Sequence, residues 1–540
     1  MVMPPAPTVP AWCEWQRGRS HVLIIAPHGG RRRRPNRLAD GRAPKVNDLY
    51  TAEIARNLAQ RLDASYIVNT ALDRNELDLN RLAQVLRLAP WFLRLLEQEL
   101  AAILVRYAAA EVLFVHGWNT TQARCDIGIG ATLTDEQAAR THGAALTVAP
   151  WYVIERLGAL RMMCDAAHLD TTYGVRYPAR HPNNLLQLFR RQPRHTADGA
   201  MTRLASWAAA DRVHAVQLEL GVPLRWPGAI CDRFLTAATR AFSSPPIRPA
   251  GAADGPARAE SPATSAQPPP APRALQFHDA AAGLGFVAGV APRAEGSLGA
   301  RLLLLLGERR VALFTGEEHG RATVVGGPVF EACSNGFTVR FDGPLLRLDD
   351  ARLYLDLETA LAASELCSTS VALTFTPGAV PAYGRISGSV RLGGETFIVD
   401  TFGFADPRLA RRRVGTQVRQ ATLSAAFGRQ GAVVARFGDD SGTGTFTQIR
   451  TNGTKTSPLG ATTIHFDGDP LGPDRFVLSA ANCPLLVARV ATRMSIVQPA
   501  PRGGYARITF GIARFAFGET DSGSGFYEYA RLMRRSGAPG

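Results

Sequence analysis

Two histidines stand where apolar runs stop. His21-Val-Leu-Ile-Ile-Ala-Pro-His28-Gly-Gly30 halts abruptly at Pro-His-Gly-Gly, and Glu111-Val-Leu-Phe-Val-His116-Gly-Trp-Asn119 repeats the design. Short apolar runs closed by a turn signal read as buried strands, so each histidine is expected at or just beyond a strand end. In open α/β sheets the ligand crevice lies beyond the carboxyl ends of the parallel strands. Two histidines delivered there could share a metal. Either one alone reads as a polar residue that terminates a strand.

The surrounding pattern supplies the elements that would position them. From about Ser20 to Arg240, short apolar runs alternate with amphipathic helical ones, as in α/β domains. Asn47-Asp48 opens a helix to Leu62, Ser65 to Thr70 is a strand, and Asp73 to Arg81 is a charged segment too polar for core. Pro90 to Ala110 makes a long helix that feeds the strand ending at His116. Cys125 to Gly130 is a tight glycine-rich strand or turn, and residues 131 to 212 are mostly helical with a loop around Tyr173 to Asn184. Val213 to Leu220 is the last strand of the unit, with Glu219 inside its apolar run.

Residues 243–274 are rich in Pro, Ala and Ser and read as a semi-rigid linker. The texture then changes to short strands at regular intervals with Gly and Asp turns. Leu302–Leu306, Arg310–Phe314, Thr338–Phe341, Ala351–Leu355, Ser370–Phe375 and Thr396–Asp400 are examples, and the rhythm resumes at Gln420 and runs to Tyr529. Such spacing predicts an antiparallel barrel or sandwich. The expected organisation is an α/β domain over 15–242, the linker, and an all-β domain over 275–540 dividing near 415, two halves suiting that length better than one.

Composition bounds the rest. A chain of 540 residues is too long for one core. The formal net charge is +15 and the pI about 10.1, yet all but Lys45 and Lys455 of the 61 basic residues are arginines scattered among Ala, Gly and Pro. That bias reads as codon preference rather than a binding face, so no nucleic-acid partner is expected. The one local cluster, Arg31 to Arg34, follows the first histidine and either draws anionic substrate or is a solvated loop. Seven cysteines, at 13, 125, 164, 231, 333, 367 and 483, form no CxxC pair and point to a reducing compartment. No secretory signal and no run of about 18 apolar residues is present, so a soluble, cytoplasmic protein without a membrane span is expected.

Five segments together resemble the N-formylglutamate amidohydrolase family, relatives of zinc carboxypeptidases and aspartoacylases, over about residues 15–240. They are Pro27-His28-Gly29-Gly30, Asn47-Asp48-Leu-Tyr, Arg74 with Asp78-Leu-Asn80-Arg81, His116-Gly117, and Gln217-Leu-Glu219-Leu-Gly. The resemblance implies a zinc-carboxypeptidase-like mixed sheet with flanking helices and one Zn2+ on His28, Asp48 and His116. Catalytic zinc takes three such ligands and keeps a fourth position for water. It further implies Glu219 as general base, Arg74 and Arg81 as forks for an acidic substrate or developing oxyanion, and Asp78, Asn80 and Asn119 around the substrate.

Each role has a structural alternative. Asp48 could be a helix N-cap, Glu219 could pair with Arg225, and Arg74, Asp78 and Arg81 could form an ion network fixing their loop. Trp118 reads as packing. Arg31 stands where carboxypeptidases have the glutamate of His-x-x-Glu. His116 follows Val115 where formylglutamate hydrolases show an Asp-x-His pattern, so the usual carboxylate behind that histidine is missing or replaced.

The C-terminal half resembles the double lipocalin-like proteins related to hydroxyneurosporene synthase (carotenoid 1,2-hydratase), on Ser387 to Asp406 and on Phe526-Tyr-Glu528-Tyr. Those proteins carry Arg-Asp-His-Ser-Trp where this chain has Ala405-Asp406-Pro407-Arg408-Leu409, without the His and Trp. The resemblance implies a lipocalin-like double barrel able to enclose a lipophilic ligand; a purely structural β domain is the alternative. Two functions follow as expectations. One is a zinc-dependent amidohydrolase of an N-acyl amino acid or related small acyl-amide substrate. The other is a lipophilic-ligand-binding or isoprenoid-modifying protein with an inactive hydrolase-like domain.

Overall fold

The computed structural model describes residues 8–31, 45–142, 146–192, 198–249, 273–293, 296–319, 321–406, 419–438, 444–450, 453–465, 473–480, 484–499, 505–518 and 521–533. They fall into two compact units, one holding the described residues up to Pro249 and one those from Arg273 onward. Arg32–Arg34, Pro407–Leu409, Cys483, most of the expected linker and the division expected near 415 lie outside the described residues. The six described cysteines are free. Among the described residues no helix is long and apolar enough to cross a membrane.

The first unit is built on seven strands: β1 (Cys13–Gln16), β2 (Val22–Ala26), β3 (Ser65–Asn69), β4 (Ala110–Trp118), β5 (Arg124–Gly128), β6 (Asp170–Thr172) and β7 (Val213–Gly221). Their order in the sheet is β1-β3-β2-β4-β7-β5-β6. The sheet is mixed: β3, β2, β4 and β7 run parallel, while β1 and β5 are antiparallel to their neighbours β3 and β7. Every residue of β2 is fully buried, because helices cover both faces of a parallel sheet and leave no polar side. The chain leaves β2 for β3 on one side and returns as β4 on the other. The carboxyl ends of β2 and β4 therefore flank the switch point, where such sheets bind ligands.

Helix α1 (Thr51–Leu62) packs Ile54, Ala55, Leu58 and Leu62 on one face of the sheet, and α3 (Pro90–Arg106), begun by a proline at its first turn, packs Phe92, Leu96, Leu100 and Ile103 on the other. The short helix α2 (Leu82–Leu88) and strand β6 were not legible in the sequence. Only parts of 131–212 are helical, chiefly Pro150–Ala166 and Gly199–Ala209, with β6 between them.

The second unit is all-β. Nine antiparallel strands run from Arg273–Asp279 to Glu395–Phe404, and the edge strand Arg310–His319 also pairs with Gly336–Leu348, which rolls the sheet into a ring. Eight further strands, from Arg419–Ala426 to Asp521–Met533, form a closed barrel. The Leu302–Leu306 run is buried on both faces. Leu302, Leu304 and Leu306 join the interior cluster with Phe277, Phe286 and Phe314, whereas Leu303 and Leu305 pack against Met494, Ile508, Phe510 and Ile512 of the closed barrel. Gln276 Nε2 donates to Ser424 Oγ at 2.7 Å across the same junction.

One expected strand is a helix: Ala351–Leu355 forms a 3₁₀ turn, capped by the Asp350 carboxylate accepting from Arg352 N, with Ala351 and Tyr354 buried. The aspartate before the run was the overlooked signal, since Asp competes for the backbone N–H groups that a strand would need.

His214, on β7, is buried against Trp151 and stacked on Tyr152 at 4.5 Å, with Ala149 N pointing at its Nδ1. Burial, reinforced by Arg191 and Arg156, pulls its pKa down to about 3. The folded ring therefore binds fewer protons than the unfolded one between that value and about 6.5, and stability falls as pH drops through this window. On moving from pH 7 to 4.5, the wild type should lose about 2 kcal/mol more stability in urea unfolding than His214→Phe. Equal losses would remove His214 from the acid response.

Candidate metal centre

His28 follows the carboxyl end of β2. Its loop must pass very close to the neighbouring chain: a Cβ on Gly30 would lie 2.0 Å from Leu72 O, so only glycine fits. His28 O accepts from Asp48 N at 2.9 Å, which brings the segment preceding α1 under the histidine. The cap of α1 falls at Tyr50, in the left-handed region at φ 67°, with no side-chain capping bond, and the Asp48 carboxylate turns to the histidines instead. His116 lies near the end of β4, beside Glu219 of β7 in the parallel register.

The three residues meet. Asp48 Oδ2 lies 3.1 Å from His28 Nδ1 and 3.2 Å from His116 Nδ1, and all three residues are buried. One ligand atom from each lies within 4.8 Å of the others. Zinc bonds of about 2.0–2.1 Å place neighbouring ligand atoms of a tetrahedron roughly 3.3 Å apart, close to both contacts. The His28 ring is also held from behind, Nε2 against Asp78 Oδ1 at 2.7 Å. A neutral ring that donates through Nε2 has a lone pair at Nδ1, and a lone pair facing the Asp48 oxygen is repulsive unless a proton or a cation lies between them. The donor set could therefore hold a metal ion, and Asp78 is placed to orient the His28 ring in such a centre.

Charge balance around the carboxylates is heavy. Burial pushes the Asp48 carboxyl up, but Arg74, His28 and His116 outweigh it and hold it well below the usual range. Arg74 Nη1 donates to Asp48 Oδ1 at 3.0 Å and to Val46 O. Asp78 is likewise lowered, its burial offset by His28, Arg74 and Lys45, whose Nζ donates to Asp78 Oδ2 at 2.7 Å. Arg81 stands 3.6 Å from that oxygen and is the more exposed of the two arginines. Among the described residues, buried Asn80 has no partner at Oδ1 and His116 has none at Nε2.

Glu219 makes no ion pair with Arg225 among the described residues. It accepts from Gln217 Nε2 at 2.7 Å, and Gln217 Oε1 accepts in turn from Asn184 Nδ2. Burial raises the Glu219 pKa to about 7, with Asp48 and Asp126 adding to the rise and His116 and Gln217 opposing it. Asn119 is exposed and its Oδ1 accepts from Arg225. Trp118 meets Tyr177 edge to face at 5.9 Å.

Sequence reading did not single out Lys45, Asn184 or Tyr177, nor Gln217 as a partner of Glu219. The signal for Gln217 was present, since residues two apart on a strand share a face. Lys45 stands three residues before Asp48 and Asn184 comes from a distant loop, neither with a local pattern that marks it.

No family model matches the chain, and no curated protein does. Among solved structures, kievitone hydratase from Nectria haematococca is similar at 12% identity, over 50% of this chain and 91% of that one, with a TM-score of 0.30. N-formylglutamate amidohydrolase from Ralstonia eutropha is similar at 13% identity, over 44% and 96%, with a TM-score of 0.29. A gene product of Agrobacterium tumefaciens is similar at 15% identity, over 43% and 89%, with a TM-score of 0.25.

If the cluster is a metal centre, the 540-residue chain should take up about one zinc, and replacing His28 and His116 together by Ala should abolish the uptake. Asp78→Asn should weaken zinc by about 10–100-fold, measured by chelator competition. Unchanged affinity in that variant would show that Asp78 does not orient the ligand.

Proposed function

We propose that the first unit is a zinc-dependent hydrolase of an amide bond in an acidic N-acyl amino acid or related small acyl-amide. The observation that carries this reading is the placement of a buried Glu219 beside the His28–Asp48–His116 cluster, with a proton affinity poised near neutral pH. Zinc held by those three residues supplies Lewis acidity, polarising a carbonyl and acidifying water.

The chain's own groups supply the rest. Glu219 takes the proton from attacking water and returns it to the leaving amine, a task for which a pKa near the working pH is the best compromise. Gln217 and Asn184 hold that carboxylate in one orientation. Arg81, half-committed to Asp78 and more open to solvent, grips a substrate carboxylate. Arg74 spends one donor on Asp48 and offers its unpartnered Nε, as Asn80 offers its Oδ1 and Asn119 its amide, to the substrate.

For the second unit we propose ligand binding at one end of the closed barrel. There a cavity of about 420 Å³ is lined by Phe427, Ile449 and Phe517 together with Gln448, Arg450 and Asp521. Its exposed lining is mainly polar, which suits a polar ligand better than the lipophilic one expected from the sequence.

On a panel of N-acyl amino acids, Glu219→Gln should lower kcat by roughly 10²–10⁴-fold with zinc content unchanged, and Arg81→Ala should chiefly raise KM for acidic substrates. Equal turnover by wild type and Glu219→Gln would remove the glutamate from the mechanism.

A further inference from the structure

Arg225 is a buried charge that the hydrolytic scheme leaves unused. β7 runs past Glu219 to Gly221, and the turn Val222–Arg225 brings the guanidinium back beneath the site, where only 1% of the residue is exposed. Among the described residues it bonds to no carboxylate directly. Nη1 donates to Leu49 O at 2.9 Å, and Nη2 donates to Trp118 O at 3.2 Å and Asn119 Oδ1 at 3.0 Å.

Those acceptors have a pattern. Leu49 follows Asp48 directly, and Trp118 and Asn119 follow His116 closely, so one planar fork bridges the backbones of two segments that carry proposed ligands. The guanidinium also lies over the Trp226 ring at 5.2 Å, and Trp226 meets Tyr50, the cap of α1, edge to face at 4.8 Å. A Cβ on Gly117 would sit 2.4 Å from Nη1 and 3.0 Å from Asp48 Cβ, so the glycine after His116 leaves the room that Arg225 occupies. A buried cation bonded to neutral acceptors is expensive, and lysine, a point charge, cannot reproduce a two-armed span.

We propose that Arg225 is a positioning residue that fixes the separation of Asp48 and His116, so that zinc affinity depends on a side chain that ligates nothing. The proposal rests on the metal-centre reading above. The whole 540-residue chain is titrated with zinc ion against a chelator, and backbone amide exchange is followed in the metal-free form, for wild type, Arg225→Lys, Arg225→Met and Gly117→Ala.

Zinc affinity should fall by about 10–100-fold in all three variants, the usual scale for groups that orient ligands. Exchange should quicken at 47–51 and 117–120 while 24–28 stays unchanged. Wild-type affinity and exchange in Arg225→Lys would overturn the proposal, because charge alone would then suffice. Thermal unfolding of the metal-free variants identifies any that fail to fold; should Arg225→Met be one, Arg225→Lys and Gly117→Ala carry the test. A wild type that takes up no zinc would sink the metal-centre reading, whereas exchange at the two segments would still decide what Arg225 holds.

Discussion

The first unit depends on one buried contact set, an imidazole held between two carboxylates. His28 faces Asp48 through Nδ1 and Asp78 through Nε2. Both carboxylates are out of water, and each needs positive charge nearby to remain ionised there. Arg74 answers Asp48, and Lys45, with Arg74 and Arg81 farther off, answers Asp78. The Pro-His-Gly-Gly loop, the segment before α1 and the Asp73–Arg81 segment are therefore bound to one another by charge as well as by packing. Removing any one member leaves another charge buried and uncompensated, the most expensive kind of defect in a folded chain.

That network explains which parts of the site were legible in the sequence and which were not. His28 and His116 were readable because strand ends are local features, and the parallel order of β2, β4 and β7 brings them to one crevice, whereas Asp48 read locally as a helix start and entered the set only through the family resemblance. Asp78 was readable as a site residue, but its position behind His28 is set by the fold of a charged loop with no periodicity. Arg225 was visible only as a prospective partner of Glu219. Its actual partners are backbone carbonyls, which no side-chain pattern announces. Lys45 and Asn184 reach the site by tertiary closure alone.

The all-β unit shows the same division between local and non-local information. Its strands were evident from spacing and turn residues, the leucines from 302 to 306 among them. Why both faces are buried is a tertiary fact: one face fills the interior of the first ring, and the other meets the closed barrel. The run at Ala351–Leu355 has strand-like composition yet turns, because Asp350 caps it. Strand propensity loses there to a single side-chain hydrogen bond at the start of the turn.

The central claim is the identity of the ligands around a bound zinc. The most direct measurement is X-ray absorption at the zinc edge of the zinc-loaded chain. The account predicts a shell of nitrogen and oxygen scatterers near 2.0–2.1 Å with the outer-shell pattern of two imidazoles, diminished in a His116→Ala sample. Sulfur scattering near 2.3 Å, or an all-oxygen shell without imidazole features, would contradict it.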